Sequence, residues 1–240
     1  MPTDKRPPAP DYLTLLECGE VEILGRLPWS SNRTYLANCT AGDSELAAVY
    51  KPGRGERPLW DFGDNLWRRE VAAYELSVYA GWNLVPETVA RSEGPLGAGS
   101  MQRFVPSHFE QHYFTILDDE DRHDQLRSIC AFDFVANNAD RKSGHCLLGE
   151  DGRIWAIDNG LCFHREPKLR TVIWEFAGDD LPADAIASLT KLSDGVPKSL
   201  SSLLNQSEVE AVRRRAERLL KRGTLPDLPP EGPRYPWPLV

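Results

Sequence analysis

Short runs of alternating apolar and polar residues lie in the first part of the chain and predict strands. Residues 21–27, 34–38 and 46–51 alternate in this way, and residues 87–91 and 100–105 repeat the pattern after a longer interruption. A period of two is typical of strands that hold one face against a core. The pattern therefore predicts a sheet within the first 106 residues.

One helix is expected to interrupt these strands. Four apolar residues recur at helical spacing and predict a core-facing stripe: Trp67, Val71, Tyr74 and Val78. Asp64 or Asn65 is suited to cap the start of this helix, and Gly81 is suited to end it.

Helical patterns dominate the second part of the chain. Residues 125–135 are apolar on most sides, which predicts a buried helix. Short helices are expected at 183–192 and 198–204. Ser207 and Glu210 match a capping box, which predicts the start of a charged final helix.

The patterns divide the chain into two parts. Residues 1–106 hold the predicted strands behind a Pro-rich arm, and residues 107–240 hold most of the helices and end in a Pro-rich tail. Strands followed by helices are typical of an α+β fold.

A predicted hairpin separates two acidic residues in polar loops. Asp140 follows the helix at 125–135, and Asp158 follows the second arm of a hairpin whose turn contains Asp151 and Gly152. The hairpin returns the chain on itself, so we expect both carboxylates to face one site. One acid in a catalytic loop and a second after the next hairpin is the kinase arrangement, in which the first accepts a proton and the second holds a metal ion.

The two loops carry a family resemblance. They read Asn-Asn-Ala-Asp-Arg at 137–141 and Ala-Ile-Asp-Asn-Gly at 156–160. These segments resemble the catalytic and metal-binding loops of the phosphatidylinositol 3-/4-kinase-like family, most of all the type II phosphatidylinositol 4-kinases and their bacterial, largely actinobacterial, relatives. The resemblance spans about residues 25–182. It implies a two-lobe protein-kinase-like fold with an antiparallel-sheet N-lobe and a mainly helical C-lobe.

The resemblance extends to a phosphate-binding end of the site. Three polar residues between the first two strands are candidates for contacting ATP phosphates: Ser30, Ser31 and Asn32. Lys51 ends a strand and matches the lysine that neutralises the phosphates, and Glu70 is the helical partner expected to hold it, with Glu75 as the rival. A plain hairpin turn, a solvated lysine and an exposed helical glutamate are the alternatives.

Residues 102–105 resemble the hinge that enters the second lobe and binds adenine. The four candidates are Gln102, Arg103, Phe104 and Val105. An ordinary edge strand is the alternative.

The catalytic loop departs from the kinase pattern at one position. The residue five places after Asp140 is His145, where kinases carry a metal-binding Asn. Imidazole suits Mn²⁺ better than Mg²⁺, so Asp158 with His145 is the predicted metal pair. Asn138 or Asn159 is an alternative ligand, and a hydrogen-bonding loop residue is the alternative role for His145. Arg141 is expected to steady the loop or the transferring group.

Charge and cysteine usage restrict the partners. The formal net charge is -8, which argues against nucleic acid and anionic lipid as steered partners. The five cysteines are scattered, and the start of the chain lacks the apolar core of a signal peptide, which favours a cytoplasmic protein without a stable membrane anchor. Arg165, Lys168 and Arg170 form a basic cluster that either docks an anionic acceptor or is a solvated loop.

Together these features predict an ATP-dependent phosphotransferase that uses Mg²⁺ or Mn²⁺ and acts on a hydroxyl of a soluble protein or small molecule. Asp140, Arg141 and Lys51 are its expected catalytic residues. The alternatives are a nucleotide-binding pseudokinase, an AMP transferase and a phosphatidylinositol kinase.

Overall fold

A five-stranded antiparallel sheet forms the N-terminal part of the computed structural model, which describes residues 11–28 and 32–239. The strands are β1 (Glu20–Arg26), β2 (Tyr35–Ala41), β3 (Ser44–Pro52), β4 (Thr88–Arg91) and β5 (Gly99–Arg103). Their order across the sheet is β1-β2-β3-β5-β4, so β5 lies between β3 and the edge strand β4. The alternating patterns in the sequence therefore predicted real strands.

Two helices pack on this sheet. Helix α1 (Tyr12–Cys18) contributes Leu16 to a small core that includes Tyr50 of β3 and Met101 of β5. Because side chains alternate along a strand, Lys51 points away from this core, on the face opposite to that of Tyr50.

Helix α2 (Trp67–Ala80) begins later than predicted and is capped differently. Neither Asp64 nor Asn65 caps it; instead the Glu56 carboxylate accepts the amide hydrogens of Leu66 and Trp67 at 2.9 and 2.7 Å. A carboxylate at a helix N-terminus satisfies free amides and complements the helix dipole.

The predicted core-facing stripe of α2 was also partly wrong. Val78 is 44% exposed, whereas Ala72, Ala73 and Leu76 are fully buried. The buried side of the helix is the one that carries its alanines. These small side chains let the helix pack closely against its neighbours. Gly81 ends it in a left-handed conformation, as expected.

The second lobe is mainly helical. Its helices are α3 (Tyr113–Ile116), α4 (His123–Ala136), α5 (Ala183–Asp194), α6 (Leu200–Leu203) and α7 (Gln206–Arg222). Helix α4 is buried on most sides, as its composition predicted. The capping box of α7 is formed by Asn205 and Glu208, two residues before the predicted pair, because the helix starts earlier.

A short hairpin and an irregular segment complete this lobe. Strands β6 (Cys146–Leu148) and β7 (Ile154–Ala156) pair antiparallel around the predicted turn. The C-terminal tail lies along the lobe, where the Ser143 amide donates to the Leu239 carbonyl at 2.8 Å. The division of the lobes at residue 107 stays a prediction. No helix within 11–28 and 32–239 is both long and apolar enough to cross a membrane.

Candidate active site

Two loops bring Asp140 and Asp158 to the cleft between the lobes. Helix α4 ends at Asn137, which adopts a left-handed conformation with φ of 55°. Asparagine tolerates this region better than most residues. After the β6–β7 hairpin the chain turns again at Asp158, with φ of 57°. The turns direct both carboxylates into one cavity, whose lining includes Lys51 and Glu70.

Lys51 joins the two lobes through ion pairs. Its ammonium group contacts a carboxylate oxygen of Glu70 on α2 and lies 2.9 Å from Asp158 Oδ1. Burial alone would lower the pKa of Lys51, but Asp158 and Glu70 raise it above its ordinary value. The same lysine holds the pKa of Asp158 well below its usual range. The rival partner, Glu75, instead accepts a hydrogen bond from Ser199.

The Asp140 carboxyl group has a raised pKa. Its carboxylate lies 3.2 Å from Lys142 Nζ, and its amide donates to Asn138 Oδ1 at 2.9 Å. Burial raises the pKa of Asp140 to about 6, although Lys142 opposes the shift. A base with a pKa near the working pH combines an ionised population with useful proton affinity.

Of the two roles predicted for Arg141, the structure agrees with steadying the loop, because the side chain does not reach the cavity beside Lys51. Its side chain is fully buried and forms an ion pair with Asp133, with Nη2 to Oδ1 at 2.9 Å. Another N–H group donates to the Ile157 carbonyl, and Nη2 also donates to Asn159 Oδ1 at 2.7 Å. The guanidinium is enclosed by the two loops, so it steadies them and has no access to a transferring group.

His145 and Asp158 lie close enough to share one cation. The imidazole Nε2 is 3.2 Å from Asp158 Oδ2, while Nδ1 is 2.9 Å from the Asp140 carbonyl oxygen. Burial lowers the pKa of His145 to about 4, so the ring is neutral near pH 7. A neutral imidazole has one N–H for these two oxygens.

One tautomer of His145 would hold a divalent ion together with Asp158. In that tautomer Nδ1–H donates to the Asp140 carbonyl and the Nε2 lone pair faces the Asp158 carboxylate, whereas in the other Nδ1 accepts the Lys142 backbone amide at 3.4 Å and Nε2–H donates to Asp158. The first tautomer supplies the donor set of imidazole and carboxylate that Mn²⁺ accepts, with the carbonyl fixing the ring. Within the described ranges no group of three or more His, Cys, Asp or Glu side chains forms a metal site, so phosphates and water would complete the coordination.

The alternative amide ligands are already occupied. Asn138 donates to Asp133 and accepts from the Asp140 amide, and Asn159 accepts from Arg141 and donates to the Ala156 carbonyl. Both are fully buried. His145 is therefore better placed than either asparagine.

The cavity beside Lys51 has a volume of about 250 Å³ and extends toward the β1–β2 connection. Asn32 is among its lining residues and accepts the Arg57 amide at 2.9 Å. Ser30 and Ser31 lie outside the described residues, so the phosphate-loop assignment stays a prediction. Arg33 and Arg57 also line the cavity. Sequence analysis missed both, because no periodicity or motif marks them.

The predicted adenine hinge is only partly available. None of its four residues lines the cavity beside Lys51. The Gln102 amide side chain donates to Thr88, and the backbone amides of Arg103 and Phe104 donate to the carbonyls of Glu87 and Ala47. Among the four, Val105 alone keeps a backbone amide without a partner in the described part of the chain. Adenine binding here stays a prediction.

The three basic residues after Asp158 have different contacts in the fold. Lys168 Nζ pairs with Asp61 at 2.8 Å, and the Arg170 amide donates to the Asn138 carbonyl at 2.9 Å. Arg165 stays exposed and lies beside helix α7. Against the effect of burial, Lys168 and Arg170 both lower the pKa of Asp61, and docking of an anionic acceptor by the three residues stays a prediction.

Comparisons with known proteins place this geometry in context. No protein-family model matches the chain. The chain is 39% identical to Protein Rv2133c of Mycobacterium tuberculosis, and the match covers 95% of each protein.

Solved structures resemble the fold. Hydra Fam20, determined with sugar, superposes with a TM-score of 0.59 at 14% identity and covers 88% of this chain and 86% of its own. The Golgi casein kinase, also determined with Mn/ADP bound, has a TM-score of 0.53 at 14% identity, covering 88% of this chain and 74% of its own. The predicted two-lobe, kinase-like α+β fold is thereby confirmed.

Proposed function

The chain belongs to the family of Protein Rv2133c of Mycobacterium tuberculosis, and for this member we propose ATP-dependent phosphoryl transfer to a hydroxyl acceptor. One observation carries the proposal: Asp140, Asp158 and the Lys51–Glu70 pair converge on one cavity. Phosphoryl transfer depends mainly on positioning and charge stabilisation, and these groups supply both.

Each group has a role in the proposed reaction. Lys51, held by Glu70, neutralises phosphate charge, and Asp140 accepts the proton of the acceptor hydroxyl. The acceptor oxygen then forms a bond to the γ-phosphorus as the bond to the β,γ-bridging oxygen breaks, which releases ADP. Asp158 and His145 would hold Mg²⁺ or Mn²⁺, an ion that supplies charge neutralisation on the phosphates when bound. The Golgi casein kinase structure with Mn/ADP bound supports this cofactor choice.

We propose a soluble acceptor, a protein or a small molecule, rather than phosphatidylinositol in a bilayer. The apolar face of α7 is packed into the core through Ala211, Val212, Ala216 and Leu219, so it is not available for insertion into a membrane. All five cysteines are free thiols, which is consistent with a reducing cytoplasmic location. Phosphatidylinositol kinase activity is the alternative that the family resemblance keeps open.

A second candidate is a nucleotide-binding regulatory protein without transfer activity. The observation that favours it is His145, which stands where kinases place a metal-binding amide. A single weak metal position would permit nucleotide binding while slowing transfer.

The proposal is tested by incubating the purified full chain with γ-labelled ATP, Mg²⁺ or Mn²⁺, and fractionated soluble extract. We expect a labelled soluble acceptor, and no label with Lys51→Met. Mass spectrometry of the acceptor separates added phosphate from added AMP. Vesicles with and without phosphatidylinositol form a parallel arm, in which labelled lipid would contradict a soluble acceptor. Nucleotide binding without any transfer would favour the regulatory alternative.

A further inference from the structure

A second cavity, here named the basic groove, lies between helix α7 and residues 165–169. Its volume is about 600 Å³, more than twice that of the cavity beside Lys51. Phe134 and Leu169 supply apolar surface to it. Five cationic side chains line it: Arg165, Arg214, Arg215, Arg218 and Lys221.

The charge of the groove is opposite in sign to the net charge of the molecule. The chain carries a formal net charge of -8, yet Glu217 is the single acidic residue that lines the groove in the described part of the chain. The Glu217 carboxylate is paired with Arg213, which lies outside the groove. A concave surface lined by one sign of charge concentrates ligands of the opposite sign.

The cations are only partly neutralised by contacts within the protein. Arg165 lies 3.7 Å from Glu166, and Arg214 lowers the pKa of Glu210 through its charge. Arg214 and Lys221 form no direct ion pair among the described residues, and Arg218 lies over the Phe134 ring at 4.9 Å. Arg215 donates to the Val135 and His164 carbonyls, but its buried Nη2 has no hydrogen-bond partner within the described ranges. A buried donor without a partner is costly, so an acceptor from outside would satisfy it.

The spacing of the cations indicates the shape of the partner. Arg214, Arg218 and Lys221 lie at positions i, i+4 and i+7 of α7, so they form a stripe about 10 Å long. This length exceeds the span of a single phosphate group. It matches about three residues of extended chain, which rises about 3.3 Å per residue. The adjacent Phe134 and Leu169 would contact apolar side chains of the same segment.

The groove adjoins the segment that leads into the catalytic loop. Asn137, three residues before Asp140, lines the groove and holds its wall by donating to the His164 and Glu166 carbonyls. Glu208, in the first turn of α7, pairs with Arg69, which is next to Glu70. A chain bound in the groove therefore lies beside the end of α4, three residues before Asp140.

We propose that the basic groove docks an extended, acidic segment of a protein acceptor. The assignment of this segment to an acceptor rests on the proposed phosphotransferase function, whereas its binding does not. Arg214 and Arg218 provide the main charge contacts, and Phe134 provides the apolar contact. The choice of a peptide follows from the length of the cationic stripe and its apolar neighbour.

The test measures binding of a fluorescein-labelled peptide rich in Glu with interspersed Phe to the full chain by fluorescence anisotropy, without nucleotide. A peptide with Lys in place of Glu is the matched ligand control. The variant Arg214→Glu/Arg218→Glu reverses two exposed groove charges, and Lys191→Glu/Lys198→Glu makes the same charge change at exposed positions outside the groove. Melting curves establish that both variants fold.

We expect the acidic peptide alone to bind, the groove variant to weaken it by about tenfold or more, and the control variant to change it less than about twofold. No binding of the acidic peptide, or equal loss in both variants, would overturn the proposal. Another outcome would also overturn it: the chain sediments with anionic vesicles in a way that depends on Arg214 and Arg218, yet does not bind the peptide. The groove would then bind membrane.

This experiment is separable from the test of the proposed function. Lys51→Met is expected to impair nucleotide binding and leave peptide binding unchanged, since Lys51 does not line the groove. Failure of nucleotide binding in the wild-type chain contradicts the phosphotransferase, and failure of peptide binding contradicts the groove.

Discussion

Two groups of ion-paired side chains lie next to each other in this protein and differ in their exposure to solvent. One cluster, Lys51 with Glu70 and Asp158, opens into the cleft, and the Asp158 side chain is 48% exposed. The other, Arg141 with Asp133, is completely enclosed, with both side chains 0% exposed. They touch where the amide of Asn159 donates to Glu70 at 3.0 Å.

Neighbouring residues in the sequence supply the two clusters. Asp140 faces the cleft while Arg141 enters the core, and Asp158 faces the cleft while Asn159 enters the core. The side chains that enter the core find hydrogen-bond or ion-pair partners within the protein, so they hold the two loops together. The cleft members retain charge and coordination capacity for a ligand. A functional site therefore differs from the residues that hold it in place because its side chains can still bind a ligand, and charge alone does not make this difference.

The largest expected effect is on the transfer rate of a variant in the cleft, where a catalytic residue can be removed without loss of stability. Asp140→Asn removes the proposed base with little change in shape, so we expect transfer to fall by about 10²–10⁴-fold. Nucleotide affinity should change little, and the free energy of unfolding should stay within about 1 kcal/mol of the wild type. Single-turnover transfer and urea denaturation measure the two quantities. Retained transfer would remove Asp140 from the chemistry.

The complementary substitution acts on the core side. Arg141→Leu leaves Asp133 buried without its cation, and we expect a loss of about 3–5 kcal/mol in the free energy of unfolding. The double variant Asp133→Leu/Arg141→Leu should lose less than the single one, because no buried charge remains unpaired. Chemical denaturation measures both. A single variant as stable as the wild type would show that the enclosed pair is not a support.

The sequence predicted the cleft-facing residues better than the core-facing ones. Asp140 and Asp158 stand in short motifs whose chemistry is local, and the hairpin between them is marked by a turn signal. Whether Arg141 faces the cleft or the core depends on Asp133, eight residues earlier in the last turn of α4, and on Ile157 across the hairpin. Such long-range contacts leave no periodic signal.

The same reasoning explains the other misses. Glu56 caps α2 from ten residues away, so a local search of the helix start could not find it. The basic groove combines Arg165 with helix α7, about fifty residues later in the chain. The sequence grouped Arg165 with Lys168 and Arg170 because they are adjacent, but the fold pairs Lys168 with Asp61.

A smaller effect is expected where the two loops share a cation. His145→Asn replaces imidazole by the amide that kinases use, so we expect the activity ratio of Mg²⁺ to Mn²⁺ to rise several-fold. His164→Asn, at a partly buried histidine that does not line the cavity beside Lys51, is the matched control and should leave the ratio unchanged. Parallel titrations of the two metals measure the ratio. An unchanged ratio in His145→Asn would mean that His145 is not a ligand.

The smallest expected effect is a shift in pH dependence that isolates Asp140 from the rest of the cleft. Burial raises the pKa of Asp140 to about 6, and the proposed base must be ionised to accept a proton, so transfer should fall as the pH drops through about 6. Burial lowers the pKa of His145 to about 4, so that ring titrates below this range. Lys142, at 3.2 Å, stabilises the Asp140 carboxylate.

Removing that cation should therefore raise the pKa of Asp140 and move the acid limb of the profile toward higher pH. Lys142→Met tests this sign, and Lys198→Met, at an exposed lysine that does not line the cavity, is the control. Transfer rates measured under saturating nucleotide between acid and neutral pH give the limb directly. A limb that stays in place in Lys142→Met would mean that another group controls it, and a limb that moves toward lower pH would contradict the assigned role of Lys142. The buried Arg141 also lowers the pKa of Asp140, but it is unchanged in both variants, so a difference between their acid limbs reports the loss of Lys142.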